Sequence, residues 1–167
     1  MKRLETKVVE INDVKYYISP FGAFYASNLS GEIIALIAPL IGSLAPLVGK
    51  NGDNNGEEGG ILDMKVEDAL PAITEAFNSL SGDKIEQLMK KLLINQKNIA
   101  VEYTDEDGNE VAEKLDYDLA NELFCMGLQD MYMLAFEVIK LNYSGFFKKA
   151  PDLFGKADGV IKIRKKK

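Results

Sequence analysis

The amino-acid sequence predicts a mostly α fold: a single helical domain with a small N-terminal β-hairpin and room for a second short hairpin. A length of 167 residues fits one domain, and 47% hydrophobic residues are enough to build a core. Apolar residues recur every three to five positions in the long segments, which indicates amphipathic helices. Runs of β-type residues are short and confined to two regions, near residues 7–18 and 98–115.

The N-terminal region predicts a hairpin. Lys7–Ile11 and Val14–Ile18 are rich in β-branched and aromatic residues, and Asn12-Asp13 between them tolerates a tight turn. A lone hairpin is marginally stable in water, so we expect it to pack on the helices. Ser19-Pro20 then begins a new element, with the proline placed as in a first helical turn.

Ile33–Val48 is the most apolar stretch, with 16 residues and no charge. A helix that spans a bilayer needs ~20 apolar residues, and this run contains Pro39, Gly42 and Pro46. The prolines predict a kinked or segmented helix that packs in a pair or offers a face to a partner. A small membrane-active protein using residues 33–48 is kept as an alternative.

Two further helices are predicted after a Gly-rich acidic loop at 49–60, which we expect to be mobile. The loop lacks the register of a calcium-binding loop. Ile61–Leu80 follows with one apolar face, broken or bent at Pro71. Ser81 is expected to cap the next helix, Asp83–Leu93.

A second β region precedes the longest helical segment. Asn98–Tyr103 reads as a strand, Asp105–Asn109 as a turn, and Glu110–Leu115 as a returning arm. Asp118–Phe147 is then predicted as one helix, capped by Asp116 or Asp118 and ended at Ser144-Gly145. It has two apolar rows, so it must be covered on two sides, either by its own chain or by another protein.

The residue inventory offers little chemistry. The absence of histidine removes Ser-His-Asp and Cys-His catalysis and His-ligated metals. The single cysteine, Cys125, is interpreted as a small buried apolar residue. We therefore expect no enzyme activity, no metal site and no cofactor.

The charge distribution is uneven along the chain. Residues 51–118 contain 17 acidic residues and 6 lysines, net −11, whereas residues 148–167 contain 8 basic and 2 acidic residues, net +6. No aromatic residue lies between the basic residues from Lys156 to Lys167 to stack on bases, so nucleic-acid binding is not expected.

Two stretches resemble the tail assembly chaperones of long-tailed bacteriophages and of related prophage tail-like particles. Val9–Ile33 (VEINDVKYYISPFGAFYASNLSGEI) is similar to the family's opening, and Ala135–Phe147 (AFEVIKLNYSGFF) to its closing helix. The similarity covers roughly residues 7–150. It implies an α-rich, non-enzymatic chaperone in the bacterial host cytoplasm. The implied partner is the tape-measure protein, with tail tube subunits as a second partner, before the tail polymerises.

The resulting domain division is a chaperone-like helical domain at 1–150 and a basic, flexible tail at 151–167. Self-association is left open, and stable membrane insertion is not expected. A structural tail or neck component retained in the particle is the first alternative function. The side chains expected to contact a partner are Phe21, Phe24, Leu36, Leu40, Leu44, Leu47, Tyr132, Phe136, Tyr143, Phe146 and Phe147.

Overall fold

A computed structural model of the protein describes the backbone of residues 5–48 and 65–154, with side chains over 5–36 and 65–145. These residues form a four-stranded antiparallel sheet and five α-helices. The strands are β1 (Lys7–Ile11), β2 (Val14–Ile18), β3 (Ile99–Thr104) and β4 (Glu110–Lys114). The helices are α1 (Ala23–Val48), α2 (Val66–Asn78), α3 (Gly82–Met89), α4 (Tyr117–Phe124) and α5 (Leu128–Phe154).

The two predicted hairpins join into one sheet, in the order β1-β2-β3-β4. β2 pairs with β3, with Tyr16 opposite Val101 and Ile18 opposite Ile99. The prediction of a mostly α fold is therefore wrong, and the fold is mixed. Ile18, Ile99 and Val101 are completely buried. Burying this shared apolar face is what brings together two hairpins that stand some 80 residues apart in the sequence.

Both predicted turns are confirmed. Asn12 and Asp13 have φ values of 48° and 65°, the left-handed conformation that a two-residue hairpin turn requires at both central positions. In the β3–β4 turn, the Asp105 carboxylate accepts hydrogen bonds from the backbone amides of Asp107 and Asn109. Gly108 has φ 84°, a conformation that glycine adopts without steric cost.

The predicted helix at Asp118–Phe147 is wrong in two respects. It is divided into α4 and α5, and α5 continues past Gly145 to Phe154. A glycine permits a helix end but does not impose one, because it can also stay in the right-handed region. The N-cap prediction is confirmed for Asp116, whose Oδ1 accepts a hydrogen bond from the Leu119 amide at 2.9 Å.

The other helices begin or end within a few residues of their predictions. α2 passes through Pro71 without a break, so of the two predicted alternatives, a break or a bend, the break is wrong. α3 follows Ser81, although no side-chain hydrogen bond caps it, and it continues into one π-helical turn at Lys90–Ile94. α1 is continuous through the apolar run, so the alternative of separate segments is not seen.

The core lies between one face of the sheet and the helices. α5 is the central helix: Leu134 and Val138 on it are fully buried, and Tyr132 stacks on Phe77 of α2 with ring centroids 4.9 Å apart. Lys7 of β1 forms an ion pair with Glu137 of α5, which ties the edge strand to the helix layer. The central position of this segment follows from its two apolar rows.

The acidic loop at 49–60 lies outside the described residues, as does the basic segment after residue 154. Over the described ranges, no helix combines the length and the apolar character needed to cross a bilayer.

Candidate functional site

Large apolar side chains that remain exposed are the first indication of a binding surface. Among the described side chains these are Val8, Phe24, Tyr117, Met126 and Leu128. Met126 is 98% exposed and Leu128 58%, and only one residue separates them. Isolated exposed apolar residues are ordinary, whereas contiguous exposed apolar surface marks a site of contact with other molecules.

This position is the break between α4 and α5, and local hydrogen bonds explain its geometry. The Gly127 amide donates to the Phe124 carbonyl at 3.1 Å, which closes the end of α4. The Gly127 carbonyl accepts from the Asp130 amide at 3.0 Å, which opens α5. Phe124 is buried and stacks on Tyr16 of β2, so the end of α4 is fixed to the sheet. The chain turns away from the core between these points and exposes its apolar side chains.

The β1–β2 turn completes the surface. Asn12 Nδ2 donates to Asp130 Oδ2 at 2.7 Å, which holds the turn beside the first residues of α5. Together they line a shallow concavity of about 580 Å³. We call Asn12 and residues 125–130 the junction surface.

The surroundings of the junction surface are acidic. Residues 116–139 contain five acidic residues and no lysine or arginine. Glu137 is the one held in the interior, by Lys7. Glu122 is exposed beside the junction surface, and Asp130 forms part of its lining.

The predicted burial of Cys125 is wrong, because its side chain is exposed in the junction surface. Its Sγ donates to the Glu122 carbonyl at 3.4 Å. Within the described residues, no group of three or more acidic or cysteine side chains could hold a metal ion. The side chains of this surface offer apolar contact, through Met126 and Leu128, and electrostatic attraction, through Asp130.

Four of the side chains predicted to contact a partner lie in the core: Phe21, Leu36, Phe136 and Tyr143. Phe21 packs edge-to-face on Tyr25, with ring centroids 5.1 Å apart. The Tyr143 hydroxyl donates to the Ala26 carbonyl at 2.8 Å, and burial raises the pKa of Tyr143 to about 12. The Tyr143 hydrogen bond joins α5 to α1.

Two other predicted side chains reach the surface to different extents. Phe24 is 95% exposed at the beginning of α1, and Tyr132 is half-buried against Phe77. The side chains of Leu40, Leu44, Leu47, Phe146 and Phe147 lie outside the described residues.

Met126 and Leu128 were missed by the sequence analysis. Helical periodicity treats both as ordinary members of an apolar row, because it assumes that the helix is unbroken. Gly127 was the available signal, since it is the one glycine inside the predicted helix before Gly145. A glycine in that position lowers helix stability and permits a break.

The comparisons with known proteins give one match. A family model described as phage tail assembly chaperone protein, TAC, matches residues 12–155. No curated protein and no solved structure matches the chain. The matched range begins at Asn12, directly after β1, and includes β2, α4, α5 and every residue of the junction surface.

Proposed function

The chain belongs to the phage tail assembly chaperone family, and from this premise we propose that it binds the tape-measure protein before the tail polymerises and catalyses no reaction. The membership confirms the resemblance seen in Val9–Ile33 and Ala135–Phe147. A long tail protein that awaits assembly exposes apolar segments, which associate unless another protein covers them. A chaperone for it needs an accessible apolar surface on a soluble, charged body.

We choose the junction surface as the binding site because of one observation. Met126 and Leu128 are the two large apolar residues that the described structure exposes side by side, and they line a concavity. A helical segment of a partner can place an apolar face in such a depression, the helix-in-groove mode of recognition. Methionine suits this role because its unbranched side chain adapts to different partners.

Phe24 supports a second contact on α1. α1 begins beside the middle of α5, where the Phe21 amide donates to Asn142 Oδ1 at 2.8 Å. Asn142 lies 14 residues after Leu128 in the helix, which is a separation of ~20 Å at 1.5 Å per residue. A long partner helix could therefore contact both places. Of the residues predicted from the sequence, Phe24 is the one we retain as a contact.

The test is co-purification of the chain with the tape-measure protein of the same phage or prophage. We expect a complex with the unchanged chain, and a loss of affinity of about tenfold or more when Met126→Ser and Leu128→Ser are combined. Val8→Ser is the matched control, because Val8 is 54% exposed and lies on the sheet, outside the junction surface. The control should bind as the unchanged chain does.

A failure of the unchanged chain to bind the tape-measure protein would contradict the proposal. Tail tube subunits are the second proposed partner, and the same assay with the tail tube protein tests them. Finding the chain as a component of finished particles would instead favour the structural tail or neck protein. A chaperone that acts before polymerisation should be absent from them.

A further inference from the structure

We propose that the junction surface recognises a segment in which lysine or arginine residues flank an apolar helix face. This inference rests on the proposed function, since it specifies the chemistry of the partner segment that the same surface would bind. It adds a charge requirement to the apolar contact.

The apolar half of the requirement comes from Met126 and Leu128. Both side chains are exposed, and the backbone beneath them is held by the Gly127 hydrogen bonds and by the buried ring of Phe124. The surface is thus formed before a partner arrives, which lowers the conformational entropy lost on binding.

The charged half comes from the acids around them. Glu122 and Asp13 are exposed within three residues of the junction surface in the sequence, one in α4 and one in the β1–β2 turn. Asp130 lies in its lining, and its partner Asn12 is neutral, so the carboxylate charge is not compensated by that bond. Of the described residues, those that line the concavity include no basic one.

The lysine nearest to the β1–β2 turn in the sequence is engaged elsewhere, because Lys15 pairs with Glu102 at 2.7 Å across the sheet. Lys7, at the end of β1 opposite the turn, pairs with Glu137. The negative potential at the junction surface is therefore left for a partner to neutralise. Complementary charge at the rim of an apolar contact raises the association rate and excludes partners of the wrong sign.

The same charges argue against a second copy of the chain as the occupant. Two junction surfaces facing each other would bring Glu122, Asp13 and Asp130 of both copies together. The chain as a whole carries a net charge of −6, so two copies repel each other overall. A basic, apolar partner segment meets both features at once.

The test uses the full chain and two synthetic helical peptides of about 18 residues, which is five turns. Both carry the same leucine face, one with lysine and one with glutamate on its flanks. Titration calorimetry should show the lysine peptide binding about tenfold or more tightly than the glutamate peptide. Raising the salt concentration from ~0.1 to ~1 M shortens the screening length from ~10 to ~3 Å and should remove most of this difference.

Two pairs of variants locate the effect. Glu122→Gln with Asp13→Asn removes two charges beside the junction surface, and asparagine retains the tolerance for positive φ that position 13 needs. Glu106→Gln with Glu110→Gln removes two exposed charges at the β3–β4 turn and is the matched control. We expect the first pair to lower the affinity for the lysine peptide by about threefold or more. The second pair should leave that affinity near its original value.

Equal binding of the two peptides, or equal weakening by both pairs of variants, would overturn the charge requirement. The second result would show that the net charge of the whole chain attracts the peptide. Undiminished peptide binding by the Met126→Ser, Leu128→Ser variant would overturn the location. The tape-measure complex can still form in all these cases, so the proposed function would stand or fall by its own test.

Discussion

Single side chains of α5 hold α1 in place. The Tyr143 hydroxyl donates to the Ala26 carbonyl, and Asn142 Oδ1 accepts from the Phe21 amide, both at 2.8 Å. A buried polar group that loses its partner keeps the cost of its desolvation, so each of these bonds matters more when one side is removed. Because the Tyr143 hydroxyl can ionise, its contribution to the free energy of unfolding should depend on pH.

Tyr143→Phe should lower the free energy of unfolding at neutral pH by ~0.5–1.5 kcal/mol, the usual contribution of a hydrogen bond. The pKa of Tyr143 is raised from 10.0 to about 12 by burial, so the folded chain holds this proton more tightly than the unfolded chain. The stabilisation is therefore complete below pH ~10 and is lost as the pH rises towards 12.

Urea unfolding at several pH values checks this prediction. The difference between the original chain and Tyr143→Phe should narrow above pH ~10, because the ionised phenol can no longer donate. The raised pKa of Tyr16 affects both chains alike. A constant difference up to the highest measurable pH would show that folding does not raise the pKa of Tyr143.

The first and last residues of the helices are determined by local interactions at their ends as well as by their apolar faces. α4 begins at an aspartate whose carboxylate receives a backbone amide, and it ends where Gly127 allows the chain to turn. An ideal Cβ at position 127 would lie 3.0 Å from Asp130 Oδ2, so glycine also leaves room for the contact between Asp130 and Asn12. The shape of the junction surface thus depends on three short-range interactions.

The N-cap of α4 gives a prediction at this scale. Asp116→Ala should cost ~0.5–2 kcal/mol of stability, and Asp116→Asn should cost little, because asparagine caps a helix about as well. Asp118→Ala is the control, since Asp118 is exposed in the first turn and its side chain does not cap the helix. Thermal unfolding of the three variants measures the effect. A cost for Asp118→Ala equal to that for Asp116→Ala would contradict the assignment of the cap.

The whole molecule depends on pairing between distant parts of the chain. α1, α2 and α3 lie in sequence between β2 and β3, so the sheet is completed only when the second hairpin reaches the first. The Ser19 amide donates to the Asn98 carbonyl at 2.9 Å where the two hairpins meet. The sheet and the helices should therefore unfold as one cooperative unit.

Ile99→Ala tests that cooperation. Ile99 is completely buried on β3 opposite Ile18, and its truncation should cost ~2–5 kcal/mol, the range for large apolar core residues. Hydrogen exchange should then accelerate together in β1–β2 and in β3–β4, because both share the buried face. Exchange that accelerates in β3–β4 alone would show that the two hairpins unfold independently. Thr104→Ala, at an exposed position of β3, is the control for the effect of an alanine substitution on this strand.

The sequence by itself determined the hairpins and their turns, narrowed the cap of α4 to Asp116 or Asp118, and indicated the family. Each of these depends on residues a few positions apart: Asn12-Asp13 accepts positive φ, and an aspartate before a helix meets its free amides. Tertiary structure alone decided that β2 pairs with β3, that the helix breaks at Gly127 and continues through Gly145, and that Met126 is exposed. The reason is that a glycine permits both a helix end and a continuous helix, and that a row of apolar residues does not specify which element will cover it. Burial in the shared core selects between these alternatives.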